Sequence, residues 1–358
     1  MTTPSTERPQ LPFKRVVCGI WCYNEEGAIG TMLRNLVQQT IFADDSLEKI
    51  VMIVPNGCKD DTAGEARRVA DELLASDDAP KATEFRVQEI EEGGKANAWN
   101  ISVRTIPEGV DVLFGFDADT DLQQADGLEQ LLHVLANDDV QAASSTPIKD
   151  LAFEQNLSFV EKMILANGRV LDGGSSSIAG SMYALKEAVF RDVHMPKGLV
   201  VEDGFLAGMT KTKGFREEAR EENLRQLSTV NHVYESERTI ASVFKHQKRL
   251  VLGGAINSHL FRFIETLPPE ENRAERLAAL DKEQPNWLPE LIGKRHQEGH
   301  PLVPTHFLMK RWSRLQTGSL VDRLKLLPKV ALGFVVDAYG YLGARKAMSR
   351  PDRGLGTW

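Results

Sequence analysis

A chain of 358 residues can form one large domain or two ordinary ones, and 42% hydrophobic with 26% charged residues is a globular mix. The net charge of −8 argues against general nucleic-acid binding, which needs a basic face. Cys18, Cys22 and Cys58 make neither a disulfide framework nor a zinc pattern and read as small hydrophobes in a reducing compartment.

Residues 1–10 are polar and lack the apolar core of a secretory signal. No run reaches the roughly 18 apolar residues of a membrane span, since the best attempt, 330–336, ends at Asp337. A cytoplasmic protein is expected, peripheral to a membrane at most. From residue 14 to 117, strand and helix signals alternate. Residues 16–21, 49–54, 85–90 and 110–116 are short apolar runs. Residues 25–39, 61–75 and 95–106 carry apolar residues at helical spacing, and Asp60 or Asp61 is a natural N-cap. Such alternation implies a mostly parallel sheet covered on both faces. A helix near 127–135, a strand near 140–146, a helical stretch over 150–170, a glycine–serine loop at 173–177 and the apolar run 199–201 follow. Beyond about residue 255 come proline-bearing connections. Residues 303–348 are helix-rich, with Lys310, Arg311, Arg314, Arg323, Lys325 and Lys329 among apolar residues. This reads as a helical layer packed on the core or as a surface resting on anionic membrane.

The chemistry-bearing residues fall at strand ends. Tyr23-Asn24-Glu25-Glu26 follows the first strand, and Asn56-Gly57-Cys58-Lys59-Asp60-Asp61 the second. Gly93-Gly94-Lys95 follows the third, and Asp117-Ala118-Asp119 the fourth. Glu202-Asp203 lies further on. In open α/β sheets such loops share one edge, where ligands bind. Two carboxylates one residue apart suit a hard cation whose shell is completed by phosphates. Lys95 at a helix start suits an anion.

This order and spacing resemble the inverting family 2 glycosyltransferases over roughly residues 14–255. The resemblance implies a GT-A fold, Rossmann-like, with a helix-rich extension over 256–358 and a flexible segment 1–13. The nucleotide-binding half would be 14–120 and the acceptor-side half 121–255. It implies transfer of one sugar from a nucleoside-diphosphate sugar, a UDP-sugar being slightly favoured, to an acceptor hydroxyl with manganese or magnesium. Tyr23, Asn24, Glu26 and Asn56 would wall the base. Lys95, Asp117, Ala118, Asp119 and Arg249 would hold the rest of the donor. Asp119 is the expected direct metal ligand, and Asp117 the partner of ribose or metal-bound water. Asp203 would be the catalytic base, with Glu202 beside it and Gly180 and Ser181 on the acceptor side.

Processive members carry Gln-x-x-Arg-Trp. The matching stretch here places His246 at the glutamine and Leu250 at the tryptophan, with Arg249 kept. A single-sugar transferase therefore fits better than a polysaccharide synthase, and His246 is a further candidate metal ligand. A dehalogenase-type phosphatase would want Thr or Val where Asp121 stands. A nucleotidyltransferase or a non-catalytic sugar-nucleotide binder are the alternatives.

Overall fold

The computed structural model describes residues 11–171, 177–309, 311–312 and 320–350. Most of the expected glycine–serine loop, most of segment 1–13, Lys310 and Arg314 lie outside these residues. In chain order the elements begin with β1 (Arg15–Cys22), α1 (Ile29–Val37), β2 (Glu48–Pro55), α2 (Thr62–Leu74), β3 (Thr83–Val87), α3 (Lys95–Thr105) and β4 (Val112–Asp117). Then come β5 (Asp121–Leu122), α4 (Gly127–Leu135), β6 (Ala142–Lys149), α5 (Phe159–Leu171), β7 (Met182–Lys186), α6 (Glu187–Phe190), α7 (Glu202–Lys211) and β8 (Leu224–Tyr234). The last are α8 (Ile240–Ile264), α9 (Arg273–Glu283), α10 (Trp287–Gln297), α11 (His306–Met309) and α12 (Leu320–Met348).

The chain divides into two compact units. The first comprises residues 1–148, 175–191 and 220–234, and the second comprises 149–174, 192–219 and 235–358.

The first unit is built on an eight-stranded sheet of order β3-β2-β1-β4-β7-β6-β8-β5. From β3 to β4 the strands are parallel, as the alternating pattern requires. Beyond β4, the pairs β4 with β7, β7 with β6 and β5 with β8 are antiparallel. β1 is buried on both faces, which explains its unbroken apolar run. Its even-numbered residues Val16, Cys18 and Ile20 pack with α1, α2 and α4 through Leu33, Val69 and Leu132. On the other face Trp21 donates its indole N–H to Ser102 of α3 (3.1 Å). Asp61 caps α2, accepting the Gly64 N–H. The cysteines are free thiols, and burial pushes Cys18 up to about 12.

The second unit is helical. α8 is a 25-residue helix opened by a capping box between Thr239 and Ser242, and it runs through residue 255. No helix among the described residues is long and apolar enough to cross a membrane.

Candidate active site

In the first unit, one side chain ties the loops after β1, β2 and β3. Asn56, buried at the end of β2, donates Nδ2 to the Cys22 carbonyl (2.7 Å) and accepts the Gly94 N–H on Oδ1 (3.0 Å). The two loops meet so closely that Gly57 must be glycine: its φ is +60°, and a Cβ there would lie 2.7 Å from the Gly93 Cα. Asn24, also left-handed at φ +57°, accepts the Lys59 N–H (2.8 Å). The Glu26 carboxylate accepts the Asp61 N–H, and the Glu26 N–H donates to Asp60, both at 3.1 Å. Tyr23 is exposed. Of the expected base-side residues, then, Tyr23 offers its ring outward, while Asn24, Glu26 and Asn56 shape the loops.

At the end of β4, Asp117 gathers residues expected on both sides of the site. Lys95, the first residue of α3, pairs its Nζ with Oδ1, and Ser181 donates its hydroxyl to Oδ2 (3.1 Å). Lys95 Nζ also lies 3.5 Å from the Gly180 carbonyl. The Ser181 carbonyl accepts the Thr120 hydroxyl (3.0 Å), fixing the turn that follows Asp117. Ala118 is buried there, and Asp119 is exposed. Asp121 takes hydrogen bonds from Asn35 (2.6 Å) and Gln123 (2.8 Å) on the surface.

One residue escaped the sequence reading. His232 on β8 is buried, with Nδ1 2.7 Å from the Ser145 hydroxyl. Its Nε2 has no hydrogen-bond partner among the described residues. Burial lowers its pKa from 6.5 to about 4, against the opposing pull of the Asp117 carboxylate, so the ring is neutral near pH 7. The only signal in the sequence was a lone histidine in a polar stretch.

In the second unit, Glu202 and Asp203 occupy the first turn of α7, where the helix dipole favours negative charge. As a cap pair they would open a helix at Gly204; instead the helix starts at Glu202, after the extended Val201. Asp203 Oδ1 accepts the Gly204 N–H at 2.6 Å. On α8, His246 Nδ1 meets Glu237 at 2.8 Å, a bond that holds the Glu237 carboxyl down at about 2 against its desolvation. Arg249 and Leu250 are exposed. Gln247 turns inward to Asp337 (2.8 Å), which is buried and paired with Arg311 (2.5 Å). Tyr23, Asn24, Glu26, Asn56, Lys95, Asp117, Asp119, Gly180 and Ser181 thus belong to the first unit, and Glu202, Asp203, His246 and Arg249 to the second.

No protein-family model and no curated protein matches the chain. Among solved structures it is similar to a mannosyltransferase from Pyrobaculum calidifontis in complex with GDP-Man and Mn2+. That match has 19% identity over 95% of this chain and 91% of that one, with a TM-score of 0.54. It also matches mannosyl-3-phosphoglycerate synthase from Rubrobacter xylanophilus (14% identity, 71% and 77% covered, TM-score 0.48). A third match is glucosyl-3-phosphoglycerate synthase from Mycobacterium tuberculosis with Mn2+ and UDP-Glc (15% identity, 69% and 87% covered, TM-score 0.46). The first of these likenesses shows the fold: a central sheet flanked by helices with a helical C-terminal region, of the GT-A type that the order of the loops implied.

Proposed function

We propose that this protein is an inverting glycosyltransferase that moves one sugar from a nucleoside-diphosphate sugar to an acceptor hydroxyl. The observation that carries this reading is the meeting of Lys95 and Ser181 on Asp117, with the Gly180 carbonyl against Lys95 and Asp119 exposed beside them, at the carboxyl ends of parallel strands. The solved likeness in complex with GDP-Man and Mn2+ supports it.

The residues fit a divalent cation. Among the described residues no group of three or more His, Cys, Asp or Glu side chains could hold a metal alone. Manganese and magnesium, however, commonly take one or two carboxylates and complete their shell with substrate phosphates. Asp119, exposed in the turn after Asp117, would be the direct ligand, and Asp117, with Lys95 and Ser181 on its oxygens, the partner of ribose or metal-bound water. When bound, the cation neutralises charge on the departing nucleoside diphosphate.

The chain's own groups do the remainder. Tyr23 lies against the base, on loops shaped by Asn24, Glu26 and Asn56. Lys95, the Ala118 backbone and Arg249 hold the ribose–diphosphate part. Asp203 takes the proton of the acceptor hydroxyl, with Glu202 beside it and Gly180 and Ser181 on the acceptor side. The catalytic region is 14–255, extended by 256–358.

A panel of UDP- and GDP-sugars, UDP-sugars first, tests the reading. Release of nucleoside diphosphate that requires manganese or magnesium is expected. Release of nucleoside monophosphate with sugar phosphate would point to the other transferase class. Asp203→Asn is expected to cut turnover about a thousandfold while calorimetric donor binding stays unchanged. Asp119→Asn is expected to abolish the metal dependence of donor binding.

A second, compatible reading is peripheral membrane contact. Leu332, Val335, Tyr339 and Leu342 are exposed at helical spacing on α12, which ends in exposed Arg345 and Lys346. Flotation with phosphatidylserine vesicles is expected for the full chain and is lost in the Val335→Glu, Leu342→Glu double variant.

A further inference from the structure

The second unit contains a cleft of about 390 Å³, within the size range of small-ligand pockets. None of the residues proposed for sugar transfer lines it. Its walls carry Arg262, Arg295, His300 and His306 against a single acid, Glu265. Glu265, just past the end of α8 and three residues from Arg262, pairs with it (3.0 Å). Arg295 stands otherwise. Its Nε donates to His259 Nδ1 (3.3 Å), and His259 donates its Nε2–H to the Leu302 carbonyl (3.1 Å). His259 is thereby a neutral prop for Arg295, and burial, with Arg295 and two more histidines near it, lowers its pKa. Among the described residues the terminal nitrogens of Arg295 meet no carboxylate. In a chain of net charge −8, this is a locally positive, concave patch.

Another part of the lining is aromatic and strained. Lys213, Gly214 and Phe215 are all left-handed, at φ +46°, +70° and +58°. For a ring-bearing residue this conformation is costly and persists only when its surroundings impose it. Buried Arg273 does so, donating Nε to the Gly214 carbonyl (2.9 Å). The turn lays Phe215 against Phe261, ring centroids 4.8 Å apart, on the cleft wall, and Pro301 and Pro304 extend the apolar lining.

We infer that this cleft is a binding site for a phosphate monoester, with the phosphate held by Arg262 and Arg295 and the organic part resting on Phe215 and Phe261. Guanidinium forks match phosphate oxygens, and two arginines set against one acid suit a dianion better than a carboxylate. The inference does not depend on the glycosyltransferase reading.

Calorimetry on the full chain with phenyl phosphate, inorganic phosphate and phenol tests it. Phenyl phosphate is expected to bind more tightly than inorganic phosphate, and phenol not at all. Arg262→Gln and Arg295→Gln are each expected to weaken phenyl phosphate by about tenfold or more while UDP binding is unchanged. Arg262 is exposed, so its variant keeps the test sound if loss of Arg295 disturbs His259. Sedimentation with phosphatidic-acid vesicles separates the two sources of such a group. Retention that phenyl phosphate competes away and Arg262→Gln abolishes assigns the site to a lipid headgroup; soluble binding without retention assigns it to a free metabolite. Wild-type affinity in both variants, or displacement of phenyl phosphate by equimolar UDP, overturns the inference.

Discussion

Replacing Asn56 with alanine leaves the Cys22 carbonyl and the Gly94 N–H inside the protein with their side-chain partner gone. A buried unpaired group costs about 1–3 kcal/mol, so Asn56→Ala is expected to lower the urea-unfolding free energy by that much. Asn56→Asp keeps an acceptor for Gly94 but sets a buried carboxylate against the Cys22 carbonyl, and should cost at least as much. His232 contributes a pH dependence. Its pKa falls from 6.5 in the unfolded chain to about 4 in the fold, so its contribution to stability is complete above pH 6.5 and is lost as the pH drops toward 4. The loss reaches about 3 kcal/mol. Denaturation curves from pH 7 to 4 should show this slope, and His232→Gln should flatten it. At this scale the sequence was informative about which residues gather and poor about where they point. Lys95 and Asp117 were marked by their places after strands, Gly180 and Ser181 by the family resemblance, and they do meet. The inward turn of Asn56 depends on a carbonyl 34 residues away, which no local pattern displays.

α7 and α8 fit through a missing side chain. A Cβ on Gly208 would come within 2.5 Å of the Phe261 ring, which also stacks on Phe205 at 6.0 Å. Gly208→Val is expected to destabilise by about 1–3 kcal/mol through overpacking, measured as a lowered thermal midpoint, against any gain in helix propensity. Among elements, those with strong apolar periodicity were legible. β1 to β4 and α1 to α3 lie within a few residues of the expected positions, although α1 begins only at Ile29 because the Tyr23–Glu26 turn takes up the residues before it. β8 was missed. Of its eleven residues only Leu224, Val230 and His232 are buried, so it shows neither an apolar run nor clean alternation. The 25-residue α8 was missed because its buried residues include the polar Gln247, Asn257 and His259, which interrupt the apolar period.

At the scale of the molecule, βα alternation gave the parallel half of the sheet, because each crossover leaves a helical period between two strands. The antiparallel half leaves no such rhythm. Neither unit is a continuous piece of chain, and composition changes along a sequence cannot show that. The placement of β8 between β6 and β5 has a consequence for how the protein is made. When the first 219 residues have left the ribosome, β6 and β5 still lack the strand that joins them, and Ser145 still lacks His232. The Thr146 hydroxyl likewise waits for the Leu227 carbonyl (2.8 Å). The first unit therefore cannot close during early synthesis. It must hold an open sheet edge until residue 234 emerges, the stage at which a nascent chain is most exposed to mispairing and most in need of a chaperone.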